Sequence, residues 1–350
     1  MKILLINSVY NKGSTGNIVK SLFEGYKEYG HDTFVIYGRG DKSYLKDDHI
    51  FNVTSELESK LHHLLSKFTG NMYGGMHMST RKIIKKIIDI SPDVIHLHCL
   101  NGYFVNIYKL LNYLKSTNKK IILTMHADFM MTGGCGYSVD CDRYLTNECK
   151  HCPRVKEFNG KLSLSRTHHF YKKMYKAMEG FNIDNLVVTT VSPWLTSRYK
   201  VSPIYKKYNV ETILNPVDDI FFTKEGNNPY KEEKNILYVT PNIYDKEKSG
   251  WLIEEVADKL TNYNFVIIDA LDNKYKPKHN NITYIGGGIS KESLRDYYKF
   301  ATATIILSKR ETFSMVVAES ISTGTPVVGF KNGGSESIAI KELSSFVDYS

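Results

Sequence analysis

The stretch IILSKRETFSMVVAESISTGTPVVGFKNGGSESI, residues 305–338, decides the fold. Its first residues, with Thr304, form a short β-branched apolar run that is typical of a buried strand in a parallel sheet. After the polar loop SKRETFS, Met315–Thr323 has apolar residues at helical spacing, with Ser314 as the predicted N-cap and Gly324 as the predicted terminator. The apolar run PVVGF predicts a second strand. This order indicates an open α/β sheet, in which ligands bind where loops leave the carboxyl ends of strands.

Two glutamates of this stretch lie too far apart to act as an acid–base pair. With a rise of about 1.5 Å per residue, Glu319 lies roughly 7 Å below the helix start, whereas Glu311 lies above it. The helix N-terminus at Phe313, Ser314 and Met315 offers backbone N–H groups and a positive dipole end to a phosphate. Glu319 could accept hydrogen bonds from a ribose diol and Glu311 from sugar hydroxyls. A nucleotide diphosphate sugar would fit the whole segment.

These residues resemble a known enzyme family. Glu311 and Glu319 with TFSMVVA between them, followed by STGTPVVG and GGSES, are similar to the E-x7-E signature of retaining glycosyltransferases of family four, which adopt the GT-B fold. The resemblance implies that Glu311 contacts the donor sugar, Glu319 the ribose, and the intervening backbone the diphosphate. The implied diphosphate contacts are Thr312, Phe313, Ser314 and Met315. Ser314 stands where many members carry glycine. The alternative interpretation of the stretch is an ordinary βαβ unit with solvated glutamates.

Length and composition predict a two-domain protein of the cytoplasm. A chain of 350 residues is long for one core, and 42% hydrophobic with 24% charged residues is typical of a soluble globular protein. The sequence contains no uncharged apolar run long enough to span a bilayer, and MKILLINSVYN is too short and too soon polar for a signal peptide. The net charge of +9 and the pI near 9.0 favour anionic partners, namely nucleotide sugars, an anionic membrane surface or nucleic acid.

The beginning of the chain predicts a second phosphate site. Lys2–Asn7 is a predicted strand, GSTGN a glycine-rich turn, and Ile18–Tyr29 a helix. Such a turn can bind an anion through backbone N–H groups, although it can equally be only a tight turn. By resemblance to the same glycosyltransferases, the donor-diphosphate loop of the first domain comprises Gly13, Ser14, Thr15, Gly16 and Asn17. The pattern is not G-x-G-x-x-G and no acidic residue ends the next strand, which disfavours a nicotinamide-dependent oxidoreductase.

Histidines occupy or follow two predicted strands, Pro92–Leu100 and Lys120–His126. His96 and His98 share a face of their strand and either bind a metal ion or are core histidines. His126 emerges at a strand's carboxyl end, where a neutral imidazole can exchange hydrogen bonds with a sugar hydroxyl. It matches the histidine that follows this strand in many family members. The resemblance therefore implies a catalytic role for His126.

Four cysteines lie in a segment at about residues 130–153 whose sequence, HADFMMTGGCGYSVDC and onward, resembles one subgroup of the family. They are Cys135, Cys141, Cys149 and Cys152. Cys149 and Cys152 form a natural knuckle, and all four thiolates could hold one structural zinc ion. The alternative is four reduced thiols, since cytosolic cysteines rarely form disulfides. A closed four-thiolate site has no open position, so no catalytic metal is expected.

Two further segments of the first domain concern partners. Residues 49–90 predict two helices separated by GNMYGGMHMS, and Leu162–Gly180 predicts a basic, aromatic helix. The basic helix could contact phosphate groups on the inner face of the cell membrane, or it could be a solvated helix that covers a sheet. The basic residues are spread along the chain rather than clustered with aromatics, which makes nucleic acid the weaker partner.

The second domain is expected to begin near Asn209, which gives an acceptor-side domain at 1–209 and a nucleotide-sugar domain at 210–350. Its C-terminus is short for the fold. After the strand NILYVT, family members carry an arginine and a lysine that clamp the diphosphate. Lys248 matches the lysine, with Lys246 as the alternative, and Asn242 falls near the expected arginine. The predicted clamp is therefore incomplete.

These features predict a GT-B protein with two Rossmann-like domains facing a cleft. It would be a retaining glycosyltransferase, of hexosyltransferase type, that moves a sugar from a nucleotide diphosphate to a hydroxyl of a glycan or lipid-linked acceptor, with His126 and Glu311 orienting the sugar. Assembly of bacterial surface polysaccharide is the process that the resemblance implies. The alternatives are a catalytically silent nucleotide-sugar binding protein and, less favoured, a nicotinamide-dependent oxidoreductase.

Overall fold

The computed structural model describes residues 1–138, 140–160 and 164–349. The residues outside that description are Val139 in the cysteine-rich segment, Lys161, the first two residues of the predicted basic helix, Leu162 and Ser163, and Ser350. The chain divides into two compact units, Met1–Leu214 and Asn215–Ser350. From the sequence alone, the division was expected near Asn209.

The first unit has one parallel sheet in the order β3-β2-β1-β4-β5-β6-β7. Its strands are β1 (Lys2–Val9), β2 (Asp32–Arg39), β3 (Ile50–Asn52), β4 (Val94–Leu97), β5 (Lys120–Met125), β6 (Leu186–Thr190) and β7 (Val210–Thr212). Its helices are α1 (Gly13–Glu28), α2 (Glu56–Thr69), α3 (His77–Ile90), α4 (Ile107–Lys115), α5 (Arg143–Thr146), α6 (Val155–Asn159), α7 (Thr167–Met178) and α8 (Pro193–Val201).

The second unit repeats this architecture with a parallel sheet in the order β10-β9-β8-β11-β12-β13. Its strands are β8 (Asn235–Thr240), β9 (Asn264–Asp269), β10 (Ile282–Ile285), β11 (Ala303–Ile306), β12 (Val327–Phe330) and β13 (Ser344–Val347). Its helices are α9 (Leu252–Lys259), α10 (Lys291–Phe300), α11 (Met315–Ser322) and α12 (Gly334–Ile338).

Apolar runs place the central strands in the interior of each unit. Leu4, Leu5 and Ile6 of β1 are fully buried, as Leu237 of β8 is. In each sheet the strand order reverses beside the first strand of the unit, between β1 and β4 and between β8 and β11. Loops diverge at such a switch point and leave a crevice at the carboxyl ends of the strands. Two doubly wound α/β units are thus confirmed.

The stretch that opens the sequence analysis forms β11, a loop, α11 and β12. Ser314 is the N-cap of α11, because its side chain accepts a hydrogen bond from the backbone N–H of Val317 at 3.4 Å. Gly324 follows the helix with φ +85°, a left-handed conformation that suits glycine. The prediction at the start of the chain needs correction: GSTGN is not a turn before α1 but its first turn, since the helix begins at Gly13.

Candidate functional site

The loops that follow β8 and β11 meet at the switch point of the second unit. Lys248 Nζ donates to Glu311 Oε1 at 2.5 Å, and both side chains are about four-fifths buried. The backbone N–H of Lys309 also donates to the carbonyl oxygen of Glu247 at 2.8 Å. The alternative lysine, Lys246, is exposed. Of the two lysines singled out in the sequence, Lys248 is therefore the one that the fold brings to Glu311.

A second ion pair joins the same loops, and sequence reasoning missed it. Arg310 Nη1 lies 3.2 Å from a carboxylate oxygen of Glu247. Arg310 immediately precedes Glu311, so its charge is visible in the sequence, but its partner is set by the loop geometry. Asn242, which stands near the expected clamp arginine, instead accepts hydrogen bonds from Tyr244 N and Asn273 Nδ2, each at 3.0 Å. The guanidinium at this switch point belongs to Arg310.

The N-terminus of α11 lies directly after Glu311. Thr312, Phe313 and Ser314 are buried, and Ser314 has φ +81°, a left-handed conformation that is uncommon for residues other than glycine. A Cβ atom at Gly334 would collide with the backbone of Thr312 and Phe313, so that glycine allows α12 to approach the loop. The backbone is therefore held tightly where first-turn N–H groups can receive an anion.

Glu319 lies one turn further into α11, in a different environment from Glu311. Its Oε2 accepts a hydrogen bond from the hydroxyl of Tyr298, which is fully buried, at 3.1 Å. Burial raises the pKa of Glu319 to about 7, while the Tyr298 hydrogen bond and the charge of Lys291 act in the opposite direction. Lys291 in turn pairs with Asp218 at 2.5 Å. A carboxylate in this position can accept hydrogen bonds from a sugar diol such as ribose.

Three histidines that follow or occupy strands of the first unit, His96, His98 and His126, form one contiguous cluster. His98 Nδ1 lies 3.2 Å from His126 Nε2, and the rings of His96 and His98 are 4.1 Å apart. His96 Nε2 lies 2.8 Å from Thr124 Oγ1. Burial lowers the pKa of His126 to about 4 and that of His96 to about 3, and it lowers the pKa of His98 well below its usual value. All three are neutral near pH 7 and can exchange hydrogen bonds without carrying charge.

The first turn of α1 lies at the switch point of the first unit. The side chain of Thr15 hydrogen-bonds to Cys99, which follows β4, and Asn7 Oδ1 accepts from the backbone N–H of Cys99 at 3.1 Å. Gly16 is buried with the end of β1 against it, so that a Cβ atom there would lie 3.2 Å from Val9. Gly13, Ser14 and Asn17 are exposed.

The four cysteines line one small cavity together with Arg143 and Arg154. Gly133 N donates to Cys149 Sγ at 3.3 Å, and the backbone of Arg154 and Val155 hydrogen-bonds to Cys152. Cys149 has φ +58°, as a tight knuckle requires. Across the described ranges, however, no three His, Cys, Asp or Glu side chains are already arranged to hold a metal ion. The four cysteines share a cavity without forming a ready set of metal ligands.

Comparisons with known proteins give a family match within the second unit and a set of similar folds. Residues 221–347 match the family described as "Glycosyl transferases group 1", a range that contains Lys248, Glu311 and Glu319. The search of curated proteins gives no match. A sucrose-phosphate synthase from Thermosynechococcus elongatus superimposes with a TM-score of 0.65 at 17% identity, over 99% of this chain and 86% of that one.

Two further solved structures show the same likeness. HepE from Anabaena, in complex with UDP and glucose, has a TM-score of 0.61 at 13% identity, over 99% of this chain and 86% of its own. A trehalose 6-phosphate synthase from Burkholderia multivorans has a TM-score of 0.62 at 11% identity, over 99% and 85%. The fold is GT-B. The expectation of a GT-B protein is confirmed, and its second unit carries the sequence features of glycosyl transferases group 1.

Within this GT-B protein, the structure groups the predicted residues into separate sets. Lys248, Glu311 and the start of α11 form one set, and Glu319 with Tyr298 lies beside it in the second unit. His126 belongs to the histidine cluster of the first unit. No helix in the described part of the chain is both long and apolar enough to cross a membrane.

Proposed function

We propose that this GT-B protein is a glycosyltransferase that uses a nucleotide diphosphate sugar. The observation that carries the proposal is the Lys248–Glu311 pair at 2.5 Å, at the switch point of a unit that matches glycosyl transferases group 1. An ammonium group has three donors, so Lys248 can retain Glu311 and still reach a phosphate oxygen. The N-terminus of α11 would bind the same diphosphate from the other side.

Each part of the donor has a partner of suitable chemistry. Glu319, held by the Tyr298 hydroxyl, would bind the ribose hydroxyls, and Glu311 the hydroxyls of the transferred sugar. During transfer, the bond between the anomeric carbon and the diphosphate oxygen breaks and its electrons stay with the diphosphate. Lys248 and the helix N-terminus stabilise the negative charge that develops there. The acceptor oxygen forms the new bond, and its proton passes to the departing diphosphate.

The finer assignments rest on the resemblance of the Glu311–Glu319 segment to family four. We infer retention of the anomeric configuration by attack on the face that the diphosphate leaves, since a double displacement would need a closely placed carboxylate nucleophile. We assign His126 to the sugar hydroxyls as a neutral partner. We further propose a hexose donor and a glycan or lipid-linked acceptor. The process would be assembly of bacterial surface polysaccharide, with contact between the protein and the inner face of the cell membrane.

A contrast between the two glutamates tests the donor site. Glu319→Ala should weaken binding of both free nucleotide diphosphate and nucleotide sugar about ten- to a hundredfold, because a charged hydrogen-bonding partner is lost. Glu311→Gln should leave binding of the free diphosphate nearly intact while transfer collapses. Calorimetry with the diphosphate and a donor-hydrolysis assay measure the two effects, and the exposed Glu342→Gln serves as control. Equal loss of nucleotide binding in both variants, or no loss in either, would refute the assignment.

The alternative of a silent binding protein makes a different prediction in the same assays. It binds the nucleotide sugar through Lys248 and Glu319 but neither hydrolyses nor transfers it. Tight binding without turnover across a panel of nucleotide sugars and acceptors would favour that reading. Arg310 weighs against it, because a guanidinium at the switch point replaces the charge that Asn242 lacks.

We also propose that the four cysteines bind one structural zinc ion. The support is their common cavity and the backbone N–H groups already directed at Cys149 and Cys152. Metal analysis of freshly purified protein should give one zinc per chain. Substoichiometric zinc, together with unchanged stability of the Cys149→Ser, Cys152→Ser variant, would exclude the ion.

A further inference from the structure

The second helix of the first unit, α2, buries its polar face and exposes its apolar face. α2 buries two serines, since Ser59 is 2% exposed and Ser66 is 1% exposed. Its large apolar side chains are the exposed ones, with Leu57 at 78% and the others near one half. These others are Leu61, Leu64, Leu65 and Phe68. A helix on a globular protein normally packs its apolar stripe against the core and leaves the polar face in water.

Specific polar contacts hold α2 in this orientation. Ser59 Oγ donates to the carbonyl oxygen of Tyr103 at 3.0 Å, and Ser66 Oγ lies 3.0 Å from the Tyr103 hydroxyl. Asn159 Nδ2 donates to the carbonyl oxygen of Ser66 at 3.1 Å, and the ring of His63 stacks on that of Tyr103. The serine face of α2 is therefore the face that contacts the rest of the unit. The leucine face contacts solvent.

The exposed apolar residues form a continuous stripe. Their positions, 57, 61, 64, 65 and 68, follow the spacing of one helix face and extend over about 17 Å at 1.5 Å per residue. α7 shows that the stripe is not a general property of the surface helices. That helix buries Phe170 and Met174 and exposes Lys172, Lys173 and Lys176.

Positive charge borders the stripe. Lys60 and Lys67 are exposed on its one side, and Arg166 reaches the end of the helix, with Nη1 3.5 Å from the carbonyl oxygen of Thr69. Negative charge is confined to the first turn, where Glu56 and Glu58 lie. Leu164, which is 61% exposed, extends the apolar surface beyond Gly70.

We propose that α2 is a membrane-binding helix that lies in the headgroup region of an anionic bilayer. Its leucines and Phe68 would enter the acyl boundary, while Lys60 and Lys67 bind lipid phosphates, an arrangement typical of interfacial amphipathic helices. A second copy of the chain fits this surface less well, because a stable dimer buries about 800 Å² and 20–30 residues on each partner. The stripe is one helix face wide. The biological purpose of this membrane-binding helix rests on the proposed function. The assignment adds to that function the surface that would bring the protein to lipid-linked acceptors.

Sedimentation of the full chain with vesicles tests the proposal. The protein should bind vesicles of phosphatidylcholine with phosphatidylglycerol, and the Leu61→Gln, Leu64→Gln, Phe68→Gln variant should bind at least about tenfold more weakly. Lys60→Gln with Lys67→Gln should reduce binding about fivefold per lysine on these vesicles and have no effect on pure phosphatidylcholine. The matched control is Ile88→Gln with Val201→Gln, which removes two exposed apolar residues from other helices.

Two results would overturn the membrane assignment. One is equal vesicle binding by the triple glutamine variant and the native protein. The other is a lipid-free dimer in analytical ultracentrifugation that the triple variant abolishes, which would assign the stripe to a second copy. Calorimetry with nucleotide diphosphate separates this proposal from the donor site, because the triple variant should bind the nucleotide normally whichever result the vesicles give.

Discussion

The carboxyl ends of the strands carry opposite chemistry in the two units. At the switch point of the second unit, Lys248 and Glu311 form an ion pair with both side chains partly open to solvent. At the strand ends of the first unit, His98 and His126 meet as neutral rings, of which His98 is buried and His126 is partly exposed. A charged diphosphate can exchange partners with the ion pair, whereas the histidines suit uncharged hydroxyls. The two units therefore differ in the charge at their strand ends, and under the proposed function they would divide the donor and the sugar chemistry between them.

Substitution of Lys248 should produce the largest effect and can break this comparison. Lys248→Met keeps the aliphatic stem and removes the charge, so binding of free nucleotide diphosphate should fall about ten- to a hundredfold. His126→Asn should leave the same binding constant unchanged. Isothermal calorimetry measures both, and Lys246→Met is the matched control. A loss in His126→Asn as large as that in Lys248→Met would show that the units do not divide the chemistry.

The stabilities of Glu319 and His126 variants should depend on pH in opposite directions. Glu319 has a raised pKa, so its contribution to folding is present below about pH 4.5 and is lost as the pH rises to about 7. As the pH rises from 5 to 8, the unfolding free energy of the native protein should therefore fall by about 2 kcal/mol relative to that of Glu319→Gln. Urea unfolding at both pH values measures the gain, and a constant difference would contradict the raised pKa.

The stability of the native protein should also depend on pH through His126, in the acidic range. Its pKa is lowered, so its contribution is present above about pH 6.5 and is lost as the pH falls to about 4. The native protein should lose about 2 kcal/mol more than His126→Gln between pH 7 and pH 5. Exposed His77→Gln, on another helix, should follow the native protein. Parallel pH profiles for native protein and His126→Gln would mean that the imidazole is solvated.

The smallest predicted effect concerns the backbone beside the ion pair. Ser314 has a left-handed φ, so Ser314→Gly should remove strain and stabilise the protein by about 0.5–1 kcal/mol despite the loss of the cap side chain. Ser322→Gly, inside the end of α11, should instead destabilise it by about 1 kcal/mol. Thermal unfolding of the pair gives the sign. Destabilisation by both would show that the cap hydrogen bond outweighs the strain.

The sequence predicts most of the fold because the central strands are apolar along their length. NILYVT and NFVIID match β8 and β9 from end to end. The face of α2 could not be predicted, since its apolar spacing is that of any amphipathic helix and the rule that such a stripe packs inward gives the wrong side. Serine hydrogen bonds to Tyr103, a residue distant in sequence, determine the orientation. Propensity likewise failed at the start of α1, which begins at Gly13 and continues through Gly16, where the helix packs against Val9 of β1.

In the candidate site, the sequence predicts the positions of residues that are separated by a known length of loop and helix. Glu311 and Glu319 are separated by a fixed length of loop and helix, and they lie where that length predicts. The pairing of Arg310 with Glu247 depends on how two loops from different strands approach, which no local pattern encodes. The distinction between Lys246 and Lys248 has the same origin, because one of two nearby lysines turns inward and the other remains in water.

The division of the chain after Leu214 also has a consequence for biosynthesis. Every strand of the first sheet precedes every strand of the second, so no element of the first unit waits for residues that are translated later. Domains generally fold as units and in order of synthesis. The first unit can therefore complete its parallel sheet before the second unit has been translated. The leucine stripe of α2 would then be displayed on a nascent chain, before the ion-pair loops exist.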